Sequence, residues 1–466
     1  MAMNIRNFGG GLHVEYRTER DSLGEVKIPA DAYYGAFTSR AINQYHVTGL
    51  RPHINLIMAF VMIKRSAAIA NMRSKAIDAK RGNAIVKACD RIISGKHLDQ
   101  FLVEPINSGA GTAFNMNTNE VVANIALEIL GEKKGSEKVL HPNDHVNMSQ
   151  SSNDTFPTAM HIAILFNIKQ VIPVLDELIK TISKKAKEFA SFQKIGRTHL
   201  MDALPVTLGG EFAAYATAIA KARDAIFSAK KEMEYVALGG TAVGSGANTP
   251  KGYRSVAILE LAKITKIPLK PEPDMQYGLQ SRFAVSNLSS TLRNLALELG
   301  RFSNDIRLMA SGPVAGLSEL GIPAVHAGSS IMPGKVNPSL AECMNMICFN
   351  IVGNDTTVAL AAQSGQFELN VMLPVMLKAV LESTDMIKNF VPIFSRNLVS
   401  GLTANKQKLR QYIENSPVIV TLLAPKLGYL ASADLYKESL KTGKTIRQLV
   451  VSKGLMSEKE VNSLLG

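Results

Sequence analysis

From Leu288 the apolar positions fall at Leu288, Leu292, Leu295, Leu299, Phe302, Ile306 and Met309, a 4-3-4-3-4-3 spacing held over three heptads. Apolar residues recurring about every 3.5 positions form one continuous seam along an α-helix, and a seam of that length must be covered by other helices. Leu175, Leu178, Ile179, Ile182, Ala186 and Phe189 make a broader stripe on a second helix. Phe212, Tyr215, Ala216, Ile219, Ala222, Ile226 and Phe227 make a third, which is expected to stop at Gly239-Gly240. Two more long helices are expected over about 338–363 and 369–393. Five such helices describe a bundle, with seams long enough to serve subunit contact as well.

The flanks read differently. Residues 1–149 start with a hairpin-like segment around Asp21-Ser22-Leu23-Gly24 and continue in shorter helices broken by glycine and asparagine. Residues 400–466 carry small helices, the last opened by a Ser457/Glu460 capping box. The expectation is an all-α chain of three domains: an N-terminal domain over 1–149, the central bundle over 150–399 and a small C-terminal domain over 400–466.

Composition narrows the class of function. A chain of 466 residues with 46% hydrophobic and 20% charged residues describes a globular protein with a large core. No run of 18 or more uncharged apolar residues occurs, so no membrane partner is expected. Met1 to Leu12 lacks a basic segment leading into an apolar one, which points to a cytoplasmic location. The net charge of +13 raises nucleic acid as a partner. The basic residues are scattered, however, and tryptophan is absent, so no nucleic-acid partner is expected; a positive field suits a small dicarboxylate better. Cys89, Cys343 and Cys348 lack CxxC spacing, which argues against a disulfide framework and a thiolate metal site, and Cys343 and Cys348 read as core residues.

Four polar clusters interrupt the helical pattern. The first is Ser108-Gly109-Ala110-Gly111-Thr112, followed by Asn115, Asn117, Asn119 and Glu120. Its turn can present Thr112 and the backbone donors of Ala110 and Gly111 to a carboxylate, though such runs are often only turns. The second is His141-Pro142-Asn143-Asp144-His145 with Ser149-Gln150-Ser151-Ser152-Asn153-Asp154, ending at Pro157. Here Asn153 or Asp154 can cap a helix, and the same helix end can bind a carboxylate. His141 and His145 stand four apart, but Pro142 argues against one continuous helix holding a metal. The third is Gly196-Arg197-Thr198-His199-Leu200-Met201-Asp202, whose histidine is of a residue type that can pass a proton directly or through water.

The fourth cluster is Gly328-Ser329-Ser330-Ile331-Met332-Pro333-Gly334-Lys335-Val336-Asn337-Pro338, with Glu342 four residues on. Glycines give it close backbone approach and prolines stiffen it. A loop of this kind can aim N–H groups, a hydroxyl, an ammonium and an amide at one anionic centre. Glu342 can orient His199 and favour its charged form, or simply complement a helix N-terminus.

The wording of the fourth loop closely resembles the signature of the fumarase/aspartase superfamily, and the other three clusters match its active-site segments in order. That resemblance implies a three-domain helical fold whose central bundles form a twenty-helix core in a homotetramer, with each active site drawn from three subunits. It implies that Ser329 is the general base, and that Lys335, Asn337 and Ser330 hold the substrate carboxylate and its aci-carboxylate intermediate. By the same resemblance Ala110, Gly111, Thr112, Ser151, Ser152, Asn153 and Thr198 bind the rest of the substrate. His199, paired with Glu342, is then the group that donates a proton or orients water. His141, Pro142, Asn143 and Asp144 resemble a second, peripheral dicarboxylate site. No metal or organic cofactor is implied.

The superfamily's reaction here is anti addition of water or ammonia to fumarate, and the wording divides between the two. Ser151-Ser152-Asn153-Asp154-Thr155-Phe156-Pro157-Thr158-Ala159-Met160-His161 resembles class II fumarases, whereas aspartases usually carry threonine where Ser152 stands. Gly334 suits fumarase but is shared by some aspartases. Asp31-Ala32-Tyr33-Tyr34-Gly35, Gly109-Ala110-Gly111-Thr112 and Gly353-Asn354-Asp355-Thr356-Thr357 resemble aspartase more. These lie partly outside the substrate shell, so hydration of fumarate to L-malate is the first expectation and release of ammonia from L-aspartate the second. Met201 and Gly210, where the family usually has glutamine, and Asp274 to Leu279 depart from both branches. A lyase fold kept only for structure would lack reason to retain Ser329, Lys335, Asn337, His199 and Glu342. Argininosuccinate and adenylosuccinate lyases share the serine loop but not the His141-Pro142-Asn143-Asp144 and Asn115-Met116-Asn117 wording.

Overall fold

The computed structural model describes residues 15–326, 328 and 331–465. The chain opens with an antiparallel ribbon, β1 (Tyr16–Asp21) and β2 (Gly24–Pro29), then runs through α1 (Ala36–Gln44), α2 (Ile54–Arg73), α3 (Ala79–Ile93) and α4 (Thr112–Ile129). The first long helix is α5 (Ser152–Glu188), followed by the hairpin β3 (Gln193–Thr198) and β4 (Met201–Thr207) and by α6 (Leu208–Ala229). Next come β5 (Tyr235–Val236), α7 (Tyr253–Thr265), β6 (Lys270–Pro271), α8 (Met275–Gln280), α9 (Phe283–Met309) and β7 (Leu320–Gly321). The remainder is α10 (Ser339–Gln363), α11 (Leu373–Asn397), β8 (Thr403–Ala404), α12 (Lys406–Asn415), α13 (Ala424–Leu427), α14 (Tyr429–Thr442), α15 (Ile446–Ser452) and α16 (Glu458–Leu465). The fold is helical, with strands confined to two-stranded pairs.

Two compact units divide the chain. One comprises the described parts of Met1–Lys169, Ile226–Thr291 and Gly353–Asp385; the other comprises Gln170–Ala225, the described parts of Leu292–Val352, and Met386–Gly466. Each of α5, α6, α9, α10 and α11 contributes residues to both.

In the first unit, Ile57, Val61, Ile85, Ile92, Val121 and Ile125 from α2, α3 and α4 form one apolar core. The β1–β2 ribbon is pinned by Arg17, whose guanidinium donates to the carbonyls of Pro29, Ala32 and Tyr34 at 2.9, 2.7 and 2.7 Å. Glu120 of α4 caps α1, accepting from the N–H groups of Gly35, Phe37 and Thr38 at 2.9, 2.8 and 3.1 Å. Those orphan donors have no partner within their own helix. Burial nonetheless pushes the Glu120 carboxyl up to about 7. The best 18-residue window of α2 has a mean hydropathy of 1.3, long and apolar enough to match a bilayer span. Two thirds of that window (67%) is buried inside the protein, as a core helix would be.

In the second unit Phe212, Phe302 and Phe394 meet edge to face, with centroids 5.9 Å apart for Phe212–Phe302 and 6.1 Å for Phe302–Phe394. A second core joins Ile195 to Ile419, Leu423, Leu435, Ile446 and Leu449. Capping boxes open α15 (Thr445 with Gln448) and α16 (Ser457 with Glu460).

The heptad seam lies along α9 as expected: Leu288 through Met309 are all at most 5% exposed at the seam positions. Burying a side chain of that size is worth about 1.5–3 kcal/mol. The third stripe ends differently. α6 stops at Ala229, ten residues before Gly239, because the chain turns at Glu232–Glu234 and pairs Tyr235-Val236 with Lys270-Pro271. Phe227 consequently faces out, 48% exposed.

Candidate active site

The first unit builds a small polar cradle. Ser108 to Gly111 form a tight turn in which Ala110 and Gly111 take φ of 57° and 68°. A Cβ on Gly111 would overlap the Phe156 ring, so the close fit of α4 against α5 requires glycine there. The turn is tied down by the Ala110 N–H, which donates to the Val371 carbonyl at 3.1 Å. Thr112 then opens α4, and its Oγ1 lies 3.1 Å from Ser152 Oγ at the start of α5.

Ser151 caps α5, with its Oγ accepting from the Asn153 N–H at 3.2 Å while Asp154 Oδ1 accepts from the Ser151 N–H at 3.0 Å. Ser151 is therefore the cap, with the Asp154 carboxylate accepting from the Ser151 N–H, and neither Asn153 nor Asp154 serves as the cap. The other Asp154 oxygen accepts from the N–H groups of Gly239 and Thr241 at 3.0 and 2.9 Å. Asn153 Nδ2 donates to the Ala242 carbonyl at 2.9 Å. Burial raises Asp154 to about 6. Thr112, Ser151, Ser152 and Asn153 thus gather at one helix N-terminus, where hydroxyls, N–H groups and the helix dipole favour an anion.

Behind the cradle lies Lys64 of α2, fully buried. Its ammonium donates to Asn115 Oδ1, Asn147 Oδ1 and Gln150 Oε1 at 2.6, 2.9 and 3.0 Å. The sequence signal for Lys64 was a lysine inside the apolar run Ile57 to Ala70 of a core helix. Nearby, Pro142 to Val146 form a single π-turn capped by the His141 ring, whose Nδ1 accepts from the Asn143 and Asp144 N–H groups at 3.2 Å each. Pro142 begins this turn instead of breaking it.

In the second unit, cluster three is a hairpin and not the loop its sequence suggests. Thr198 pairs with Met201, and His199 and Leu200 form the tip at φ 55° and 61°. Two left-handed residues in a two-residue connection define the turn that matches strand twist. Neither residue is glycine or asparagine, which hid the turn from sequence. Arg197 and Lys194 anchor the hairpin to Glu319, fully buried, at 2.8 Å each, and Lys194 also reaches Glu211 at 2.9 Å. Of the departures from family wording, Met201 sits exposed at the hairpin end and Gly210 donates to Thr207 Oγ1 at 3.0 Å.

The fourth loop is also in the second unit. Asn337 Nδ2 donates to the Gly328 carbonyl at 2.7 Å, and a Cβ on Gly328 would collide with the Lys335 carbonyl. Ser329 and Ser330 lie outside the described residues. His199 and Lys335 are exposed, as is Thr198, and Glu342 lies in the first turn of α10. Among the described residues His199 and Glu342 are not hydrogen-bonded to each other, and no group of three metal-ligating side chains converges.

A lyase family profile matches residues 24–353, and a fumarase C C-terminal profile matches residues 419–466. The chain belongs to the fumarase/aspartase family of lyases. It is 44% identical to an aspartate ammonia-lyase of a Bacillus species over 97% of each chain. It is 42% identical to a class II fumarate hydratase of Thermosynechococcus vestitus over 96% of each. Among solved structures it superposes on class II fumarase from Schistosoma mansoni with a TM-score of 0.93, at 35% identity, covering 97% of this chain and 98% of that one. A fumarate lyase/delta crystallin from Brucella melitensis, solved with cobalt bound, gives a TM-score of 0.93 at 40% identity, covering 97% and 98%. Membership in this lyase family accounts for the order of the four clusters; it leaves open whether water or ammonia is the group eliminated.

Proposed function

We propose that this lyase eliminates ammonia from L-aspartate to give fumarate, with its parts shared among subunits of a homotetramer. Ser329, assigned by its place in the fourth loop, removes a proton from the carbon next to one carboxylate. The charge moves into that carboxylate as a dianionic aci form, and Lys335, Asn337 and the loop's N–H groups stabilise it. The C–N bond then breaks as the double bond forms. Thr112, Ser151, Ser152, Asn153 and Thr198 hold the rest of the substrate. Nitrogen leaves with the C–N electron pair as neutral NH3, the proton taken from carbon is released from Ser329 to solvent, and His199 with Glu342 can pass a proton to the departing NH3 to give ammonium.

The observation that carries this reading is the cradle around Thr112. Its Gly109-Ala110-Gly111-Thr112 turn has aspartase-like wording and meets Ser152 through a hydroxyl-to-hydroxyl contact of 3.1 Å. Serine and threonine make that contact alike, so Ser152 no longer weighs heavily for water. The aspartase-like Asp355 is also built in, accepting from Ser289 Oγ at 2.7 Å. Full-length likeness to several aspartate ammonia-lyases supports the same reading.

A second reading, class II fumarate hydratase, keeps the same residues and rests on the fumarase-like run from Ser151 to His161 and on the relative at 42% identity. Ultraviolet absorbance of fumarate decides between them. Release from L-aspartate well above that from L-malate is expected, and the reverse would replace the proposal with the hydratase.

A further inference from the structure

Lys64 lies in the middle of α2 and is fully buried, so its charge has no access to water. Three acceptors surround its nitrogen: Asn115 Oδ1, Asn147 Oδ1 and Gln150 Oε1, at 2.6, 2.9 and 3.0 Å. An ammonium has three N–H donors and satisfies all three, whereas a neutral amine has two donors and would turn a lone pair on the third. The geometry therefore fits the charged form, although burial pulls the group down to about 7.

None of the three acceptors is a carboxylate. Asp154, whose negative charge favours the ammonium, bonds instead to the N–H groups of Ser151, Gly239 and Thr241. Cys89 of α3 also faces Lys64, but burial keeps its thiol protonated by raising it above its usual range. The positive charge is thus balanced only at a distance, with no carboxylate in direct contact among the described residues.

All three acceptors lead to the substrate cradle. Asn115 stands one helical turn after Thr112 on α4. Asn147 and Gln150 begin the segment that ends in Ser151, Ser152 and Asn153. Seven residues along the same face of α2, Asn71 holds this segment a second time, donating to the Met148 carbonyl at 3.0 Å and accepting from Ser149 Oγ at 2.8 Å. Ser149, with φ of 64°, is fixed in a conformation that needs such support.

We infer that Lys64 is a positioning residue for substrate binding, fixing the Thr112 and Ser151–Asn153 donors in one arrangement and adding a buried positive charge behind them for the substrate carboxylate. This rests on the proposed reaction only in taking a four-carbon dicarboxylate as ligand. Lysine does this better than a neutral residue because one side chain supplies both the three bonds and the charge.

The test compares Lys64→Met, Asn115→Asp and Arg65→Gln. Asn115→Asp keeps an acceptor for Lys64 and cancels the charge, at the loss of the Asn115 Nδ2 donation to Asn147 Oδ1 at 3.1 Å, and Arg65 pairs with Asp90 on the outer face of α2. The readouts are KM and kcat on whichever of L-aspartate or L-malate the parent uses, and the Kd of fumarate by calorimetry, with assembly checked on each variant. Misplaced binding groups cost about 10²-fold, so Lys64→Met is expected to raise KM and fumarate Kd by about that factor, with a smaller loss in kcat. Asn115→Asp is expected to raise both by about tenfold, from the cancelled charge together with the lost Asn147 contact. Arg65→Gln should match the parent. If Lys64→Met stays assembled and keeps KM and Kd within threefold, or lowers kcat alone, the inference fails. If that variant does not assemble, unchanged fumarate binding in Asn115→Asp defeats it. A parent that binds fumarate but turns over neither substrate removes the proposed function and leaves the Lys64 result readable from Kd.

Discussion

Around Thr112 and Ser151–Asn153, hydroxyls, amides and N–H groups are already bonded to one another, with Lys64 and Asp154 buried beneath them. At the tip of β3–β4 and in the fourth loop, His199 and Lys335 are exposed, and among the described residues neither they nor Glu342 have a side-chain hydrogen-bond or ion-pair partner. The first region is a finished binding surface, and the second is a set of chemical groups on well-anchored supports, Glu319 beneath the hairpin and Asn337 across the loop. In the proposed reading the first region recognises a carboxylate within one chain, and the second supplies the proton-moving groups to a site that neighbouring copies would finish.

Removing the proposed proton-moving groups should abolish turnover without touching the fold. Ser329→Ala is expected to lower kcat/KM by about 10⁴-fold while the assembly persists, measured by fumarate absorbance and light scattering. Activity within tenfold of the parent would remove Ser329 as the base. Lys335→Met is expected to cost about 10²–10³-fold, because one donor to a developing dianion is lost. A loss confined to KM would recast Lys335 as a binding residue only.

The supports should behave in the opposite way. Glu319→Gln leaves Lys194, 3% exposed on its side chain, without its buried counter-charge. Breaking a buried pair costs about 3–5 kcal/mol, visible as a lower denaturation midpoint. An unchanged midpoint would show that Glu211 alone suffices. Mixing two inactive variants, Thr112→Ala and Lys335→Met, sharpens the contrast further. If sites combine residues from different copies, part of the parent activity should return, and none should return if each chain works alone. Exhaustive chelation is expected to change nothing, and activity restored only by a divalent ion would contradict the proton and charge assignments.

The seam from Leu288 to Met309 was fully legible because its period reports helix geometry directly, and each expected seam position is buried. The Ser457/Glu460 box and the Asp21–Gly24 turn were legible for a similar reason, since their signals are local. The end of α6 was not, because a short parallel pairing between residues about 35 apart stops it, and no local pattern encodes that. The cradle's residues were readable as wording, but their union through Thr112 and Ser152 depends on α4 meeting α5. Lys64 left a signal as a lysine in a largely apolar stretch, but its role was illegible because that stretch reveals nothing about the three amides that converge on it.

Leu200 takes a left-handed backbone that an L-residue with a branched side chain adopts at a cost of about 1–2 kcal/mol. Glycine there would relieve that burden, and asparagine would do much the same at His199. If His199 acts as proposed, a substitution that relaxes this fingertip would make the protein hardier and slower at once, and a search for heat-tolerant variants that ignores turnover would be drawn to it.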